Sequence, residues 1–262
     1  GGGSNAINYM FQQGIKGVDF IVSNTDAQAL AESGVPTKIQ LGASLTEGLG
    51  AGANPEVGER AAVESKDEIQ SILSTQTKMI FITAGMGGGT GTGAAPAIAK
   101  IAREIGALTV GIVTKPFAFE GPIRKKRALD GIKEMKKNCD TLLVIPNETL
   151  LEISSEDTTV TESFKLADSI LNQATKGISD LINRPGLINL DFADVRTIMK
   201  NMGDAIMGSG IATGEEKATF AAQQAINSPL LQNASIQGAK GLLVNVTGPK
   251  DMTMRELTSA SD

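Results

Sequence analysis

The stretch ITAGMGGGTGTGAAPAIAKIA, residues 82–102, places six glycines among its first twelve positions and none after them. KMIFI (78–82) leads into it and has the apolar character of a buried strand; the Ala/Ile spacing that follows is helical. Glycine where two stiff elements meet raises the entropy lost on folding, so this junction requires a backbone without side chains. A strand, a glycine loop and a helix in that order present unpaired N–H groups and the positive end of a helix dipole. The expected ligand is a phosphate chain. Thr90 and Thr92 add hydroxyl donors, and Pro96 is expected near the first helical turn, where its missing N–H does no harm.

Two familiar phosphate patterns fit less well. GxxxxGK[ST] is absent, since no lysine follows the loop before Lys100. Gly89, Gly91 and Ala94 fit the dinucleotide pattern GxGxxA, as do Gly1, Gly3 and Ala6. That pattern also needs an acid about 20 residues on, at the end of the next strand, to hold a ribose. After 108–114 no acid appears before Glu120, although the N-terminal loop has Asp26, so a dinucleotide oxidoreductase stays open. The chain has no histidine and one cysteine, Cys139. Ser-His-Asp and Cys-His catalysis and His- or Cys-rich metal sites are excluded. Carboxylates, amides, hydroxyls, Lys/Arg and backbone dipoles remain, a set that suits phosphoryl transfer. The lone cysteine points to a reducing compartment, and a cytoplasmic location is expected. A net charge of −5 gives no electrostatic case for nucleic acid or an acidic membrane. No apolar run reaches the ~18 residues of a membrane helix, so no direct membrane insertion is expected.

Val/Ile/Leu-rich runs at 17–24, 78–84, 108–114 and 140–147 read as buried parallel strands. Helical patterns at Ala97–Ile105 and Ile123–Lys137 lie between them, and the alternation indicates an α/β doubly wound sheet. From 160 to 182, Phe164, Ala167, Leu171, Ala174, Ile178 and Leu181 recur at helical spacing and predict one long helix. Pro185 and Gly186 end it, and a further helix follows at about 193–202. GLLVNVTGP (241–249) reads as the opening strand of a second sheet. GGGSNAINYM has the character of a strand-to-helix junction, so a preceding first strand is expected to be missing and the second domain cut short.

GGGTGTG (87–93), NTDAQAL (24–30), GLGAGANPEVG (48–58), FEGPIRKKR (119–127), VIPNETLLEI (144–153) and INLDFADV (188–195) occur in that order. The ordered set resembles the tubulin/FtsZ family of GTPases. The resemblance implies a Rossmann-type parallel-sheet GTPase domain at 1–159, a central helix at 160–182 and a catalytic loop at 183–195. The beginning of a truncated α+β domain would occupy 196–262.

By the same resemblance, GTP or GDP is the ligand, and Mg2+ bridges its phosphates with no protein ligand assigned. Gly1, Gly2, Gly3 and Asn5 would meet the α/β-phosphates and the base, and Ala51, Gly52 and Ala53 would sense the γ-phosphate. Gly88, Gly89, Thr90, Gly91 and Thr92 would form the main cradle. Glu120 and Arg124 fall on ribose and phosphate contacts, with Pro122 and Ile123 between them, where members of the family vary. Asn147 and Asp168 match base-reading positions, where a carboxylate suits the N1–H and N2–H₂ donors of guanine. Phe164 would stack on the base or pack in the core. Asn189, Asp191 and Asp194 match a loop that enters the neighbouring subunit's site and orients the attacking water. Asp191 also fits a helix N-cap. A head-to-tail homopolymer follows, since a heterologous contact that does not close makes filaments. The family's filaments form a mid-cell division ring, with division proteins and membrane tethers bound through a C-terminal tail unmatched here. A module that binds GTP without turnover is the competing expectation. RKKR (124–127) reads more readily as a solvated helix face than as an anion patch, with Arg124 alone given a site role, and Cys139 reads as a small packing residue.

Overall fold

The computed structural model describes residues 1–262 apart from Thr75, Glu156, Pro185, 187–189, 233–237 and Asp262. The chain divides into two compact units, Gly1–Ala205 and Ile206–Asp262.

The first unit opens with α1 (Gly2–Gln13), β1 (Ile21–Asn24), α2 (Ala27–Ala31), β2 (Thr37–Gln40), α3 (Ala43–Thr46), α4 (Pro55–Glu64) and α5 (Lys66–Leu73). It continues with β3 (Met79–Gly85), α6 (Thr90–Glu104), β4 (Leu108–Lys115), α7 (Pro122–Asn138), β5 (Thr141–Pro146) and α8 (Asn147–Glu152). The long α9 (Val160–Asn183), α10 (Phe192–Met199) and β6 (Gly203–Ala205) complete it. All strand pairs are parallel, as expected, but they form two sheets: β1–β2, and β3–β4–β5–β6. Strand β1 is shorter than the expected 17–24, because Gly17 turns the chain at φ 78. The short, polar β2 and β6 were not among the expected strands.

Strand β4 is buried from Leu108 to Thr114, with a neighbour on each side. Ile82, Ala84, Val113 and Leu142 of the sheet meet Ala95 and Ala99 of α6 and Ala128 and Met135 of α7 in one apolar cluster. Cys139 packs there too; burial, its largest influence, pushes the thiol up to about 12. A second cluster joins Ile39 and Leu41 to Ala61, Ile69, Ala94 and Ile101. Helix α9 starts with a capping box: Thr159 Oγ1 accepts from the Glu162 N–H and Glu162 Oε2 accepts from the Thr159 N–H. Its buried face runs through Ala167, Ile170, Leu171 and Ala174, leaving Phe164 half-exposed at the margin.

Helix α6 departs from expectation. It begins at Thr90, not Ala97, so the last two glycines of the run, Gly91 and Gly93, lie in its first turn. Pro96 is therefore inside the helix, where it leaves the Thr92 carbonyl without the usual N–H partner. That carbonyl packs against α7, within 3.2 Å of where a Gly131 Cβ would stand.

The second unit contains α11 (Lys217–Ile226), α12 (Pro229–Gln232) and α13 (Met254–Ser261). Lys217 of α11 and Glu256 of α13 form a 2.9 Å ion pair. Residues 241–249 form no strand, which corrects the sequence reading. Strand-forming residue types need a neighbouring ladder, and among the described residues of this unit no segment pairs with them.

Candidate functional site

The carboxyl ends of β3, β4 and β5 lie side by side, with Gly85 opposite Thr114 and Lys115 opposite Pro146. In open parallel sheets this is the edge where ligands bind. The glycines there divide into two kinds. An added Cβ on Gly91 would stand 2.6 Å from the Gly85 carbonyl, one on Gly89 2.8 Å from Ala51 Cβ, and one on Gly93 1.8 Å from the Pro55 carbonyl. Gly58 of α4 would press to 2.4 Å on the Gly89 carbonyl. These glycines let α6, α4 and β3 approach backbone to backbone. Gly1, Gly52 and Gly88 have nothing within 4 Å of the same position, so their backbones are open to a ligand.

Neighbouring groups hold the loop in shape. Gly87, at φ 112, lies beneath the Arg124 stem, 2.7 Å from Arg124 Cγ at the Cβ position, and donates its N–H to Thr92 Oγ1 at 2.8 Å. Thr92 is buried and braces the loop from inside. Thr90 Oγ1 lies 2.6 Å from Thr25 Oγ1. Across from it, Gly50, Gly52 and Ala53 take φ of 88, 57 and 57, and Asn54 N–H donates to the Ala51 carbonyl. Ala53 holds a conformation that ordinary residues avoid, a strain of the sort functional loops carry. Asn54 then caps α4 through the Glu56 N–H at 3.0 Å.

Both Glu120 oxygens are engaged, one by the Phe117 N–H at 2.9 Å and the other by Arg124 Nε at 2.9 Å. Glu120 thus fixes the turn that carries Arg124. Glu148 supports the same turn by accepting from the Ala118 N–H. Phe117, Phe119 and Phe164 form an aromatic trio, with Phe164 edge-on to Phe117 at 5.2 Å. Asn147 opens α8 and is buried, yet among the described residues its Oδ1 has no hydrogen-bond partner. A buried acceptor left unpaired is expensive, and such groups mark places where a ligand donor fits. Burial pushes the Asp168 carboxyl up to about 6. Helix α1 packs against α9, the helix that carries Asp168. Gly3 is pressed on β3, its Cβ position 2.8 Å from the Thr83 carbonyl, while Asn5 is exposed.

The acidic loop is elsewhere. Asn189 lies outside the described residues. Asp191 and Asp194 are exposed and form a capping box on α10: Asp191 Oδ1 accepts from the Asp194 N–H at 2.9 Å, and Asp194 Oδ2 from the Asp191 N–H at 3.2 Å. The 15 residues of α9 between Asp168 and Asn183 span about 22 Å. Sequence reasoning missed Thr25, Asn54 and Glu148. Each lies in a segment quoted above, but their partners are set by tertiary contact.

A strand, glycine loop and helix set in a parallel sheet place the first unit in the Rossmann-type α/β class. Residues 1–155 match the tubulin/FtsZ family GTPase domain, and residues 203–262 match the FtsZ family C-terminal domain. All 262 residues align with the cell division protein FtsZ of Rickettsia felis at 55% identity and of Bartonella bacilliformis at 56%. The chain spans 58% and 44% of those two proteins, about half their length. The structure of an empty FtsZ dimer of M. jannaschii superposes with a TM-score of 0.93 at 47% identity, over 99% of this chain and 75% of that one. The chain belongs to the tubulin/FtsZ family.

Proposed function

We propose that the chain binds GTP across Gly88, Gly52 and the start of α1, and that two copies stacked head to tail hydrolyse it. The carrying observation is the division of the glycines: most close the scaffold on itself, while Gly88 and Gly52 leave anion-sized access at two facing loops. Asn147 Oδ1 and the Asp168 carboxylate supply acceptors for guanine N1–H and N2–H₂, and Phe164 offers a ring edge to the base. Arg124, held by Glu120, answers phosphate charge. Mg2+ accompanies the phosphates, with no residue assigned to it.

Asp191 and Asp194 are separated from this cleft by most of α9, so they serve the site of the next copy. One oxygen of each is in the capping box; the other is left to orient a water in line with the γ-phosphate. Such an assembly is a filament, consistent with a role at the division site; the relatives' printed name is cell division protein. A dinucleotide oxidoreductase is disfavoured because Asp26, its candidate ribose acid, caps α2 through the Gln28 and Ala29 N–H groups.

The test is phosphate release from GTP with Mg2+, per molecule, as protein concentration rises. The specific rate is expected to climb above a threshold, and Asp191→Ala to keep GTP binding while losing at least ten-fold in turnover. A specific rate independent of concentration, or an Asp191→Ala variant as fast as the parent, would remove the two-subunit mechanism.

A further inference from the structure

Thr25 follows β1 and is fully buried, at 0% exposure. Its hydroxyl oxygen lies 2.6 Å from that of Thr90, the first residue of α6, and either could donate. Counting protons decides the direction. Among the described residues Thr90 is the single partner recorded for the Thr25 hydroxyl. Were Thr90 the donor, the Thr25 proton would be buried with no acceptor, which is costly. If Thr25 donates, its buried proton has an acceptor, and the Thr90 proton turns away from Thr25 on a residue that is partly exposed. The Thr25 carbonyl meanwhile accepts from the Gly50 N–H at 3.2 Å, and Thr46 Oγ1, whose one proton is shared with the Gly42 carbonyl at 3.1 Å, lies 3.2 Å from it. One buried residue therefore ties the 50–53 loop to the start of α6.

We propose that Thr25 is a positioning residue for phosphate binding: its hydroxyl donates to Thr90 Oγ1, which aims the Thr90 proton at a phosphate oxygen. The donated bond also polarises the Thr90 hydroxyl and makes it a stronger donor. Because the Thr25 carbonyl anchors Gly50, the same residue sets the spacing of the two loops that face the anion. This inference rests on the GTP reading of the cleft.

The test is calorimetric GTP binding to the whole chain with Mg2+, for the parent, Thr25→Val, Thr25→Ser, Thr90→Val and the Thr25→Val/Thr90→Val pair. Thr25→Val is expected to bind GTP about tenfold more weakly, the worth of one well-placed hydrogen bond. Thr25→Ser, which keeps the donor, is expected to bind within about twofold of the parent. The double variant should be no weaker than Thr90→Val alone, since Thr25 acts through Thr90. A merely structural role would add the full Thr25→Val loss in both backgrounds and overturn the proposal, as would Thr25→Val binding like the parent. Should Thr25→Val fail to fold by circular dichroism, Thr25→Cys, similar in size and a far weaker donor, is expected to show the same loss. A parent chain that does not bind GTP overturns the nucleotide reading itself, an outcome distinct from a parent that binds and a Thr25→Val variant that binds equally.

Discussion

Strand β4 reads LTVGIVTK and the segment at 241–249 reads GLLVNVTGP; by composition the two are near twins. The first is the buried centre of a sheet, while the second has no ladder at all, with Leu242 at 78% exposure. The contrast extends to the two units. Among the described residues, no hydrophobic side chain beyond Met199 is buried, while Ile211, Leu242 and Met254 of the second unit are all largely exposed. A β-type run specifies readiness to be a strand, and neighbours decide whether it becomes one. In the first unit β3 and β5 flank β4 and α6 covers them; the second unit has no sheet among its described residues.

The largest effect expected from that contrast comes from one residue type placed in both units. Leu142 of β5 is 1% exposed. Leu142→Ala should lower stability by roughly 2–5 kcal/mol, the transfer loss plus a cavity in a core that cannot collapse. Leu242→Ala should stay within about 0.5 kcal/mol, as surface changes do. Urea melts of the two variants check this. Comparable losses would mean that 241–249 is packed and that the two units share one kind of core.

The same contrast explains what was readable in advance. The central strands announced themselves because strands buried on both faces are apolar throughout. Strand β2 (TKIQ) and β6 (GDA) carried no such mark, being short and polar, and exist because β1 and β5 offer edges to pair with. The start of α6 was hidden by intrinsic propensity: glycine disfavours helix, but here the glycines admit α4 and β3 so closely that tertiary contact overrides it. In the candidate site, Gly88 and Asn147 lie in quoted motifs, and Asp168 is named only through the family resemblance. Thr25 could not be given a role, because its hydroxyl partner lies 65 residues away. Asp140 was equally silent: its buried carboxylate accepts from the Thr109 and Asn201 N–H groups, a role defined by two strand ends and a turn.

Charge sharpens the comparison next. Burial raises the Asp168 carboxyl from 3.8 to about 6 in the first unit. Hydrogen bonds lower Glu256 in the second unit to about 2, chiefly from the Thr253 N–H and Lys217. For Asp168 the folded state holds its proton more tightly than the unfolded one. Stability therefore falls as pH rises from about 4 to 6, and the penalty, on the order of 1 kcal/mol after solvent screening of this partly exposed carboxylate, stands in full above pH 6. Glu256 has the opposite sign: its contribution is present above about pH 4.5 and is lost as pH falls toward 2. Asp168→Asn is expected to be more stable than the parent by on the order of 1 kcal/mol at pH 7.5, with the gain mostly gone at pH 4. It should also lose preference for GTP over ATP, since an amide cannot accept from both guanine donors as a carboxylate does. An equal gain at both pH values would show that the effect is packing, and an unchanged GTP/ATP ratio would remove Asp168 from base recognition.

The smallest expected effect separates glycines from one another. Gly93→Ala forces a Cβ to 1.8 Å from the Pro55 carbonyl, and no side chain there can move aside. A loss of roughly 1–3 kcal/mol is expected as α6 and α4 are pushed apart. Gly88→Ala meets nothing within 4 Å, and should leave the urea midpoint unchanged while weakening GTP binding by filling the approach to the anion. The second unit supplies the control: a Cβ on Gly210 would stand 1.9 Å from the Ala221 carbonyl of α11, a collision as close as that at Gly93. Without a buried core behind α11, Gly210→Ala should displace that helix locally and leave the main unfolding transition where it was. Were Gly210→Ala to shift that transition as far as Gly93→Ala, close backbone contact alone would suffice to join the second unit to the cooperative fold. The absence of buried apolar side chains among the described residues there would then lose its meaning, because cooperativity would rest on helix approach at glycine instead of apolar area removed from water.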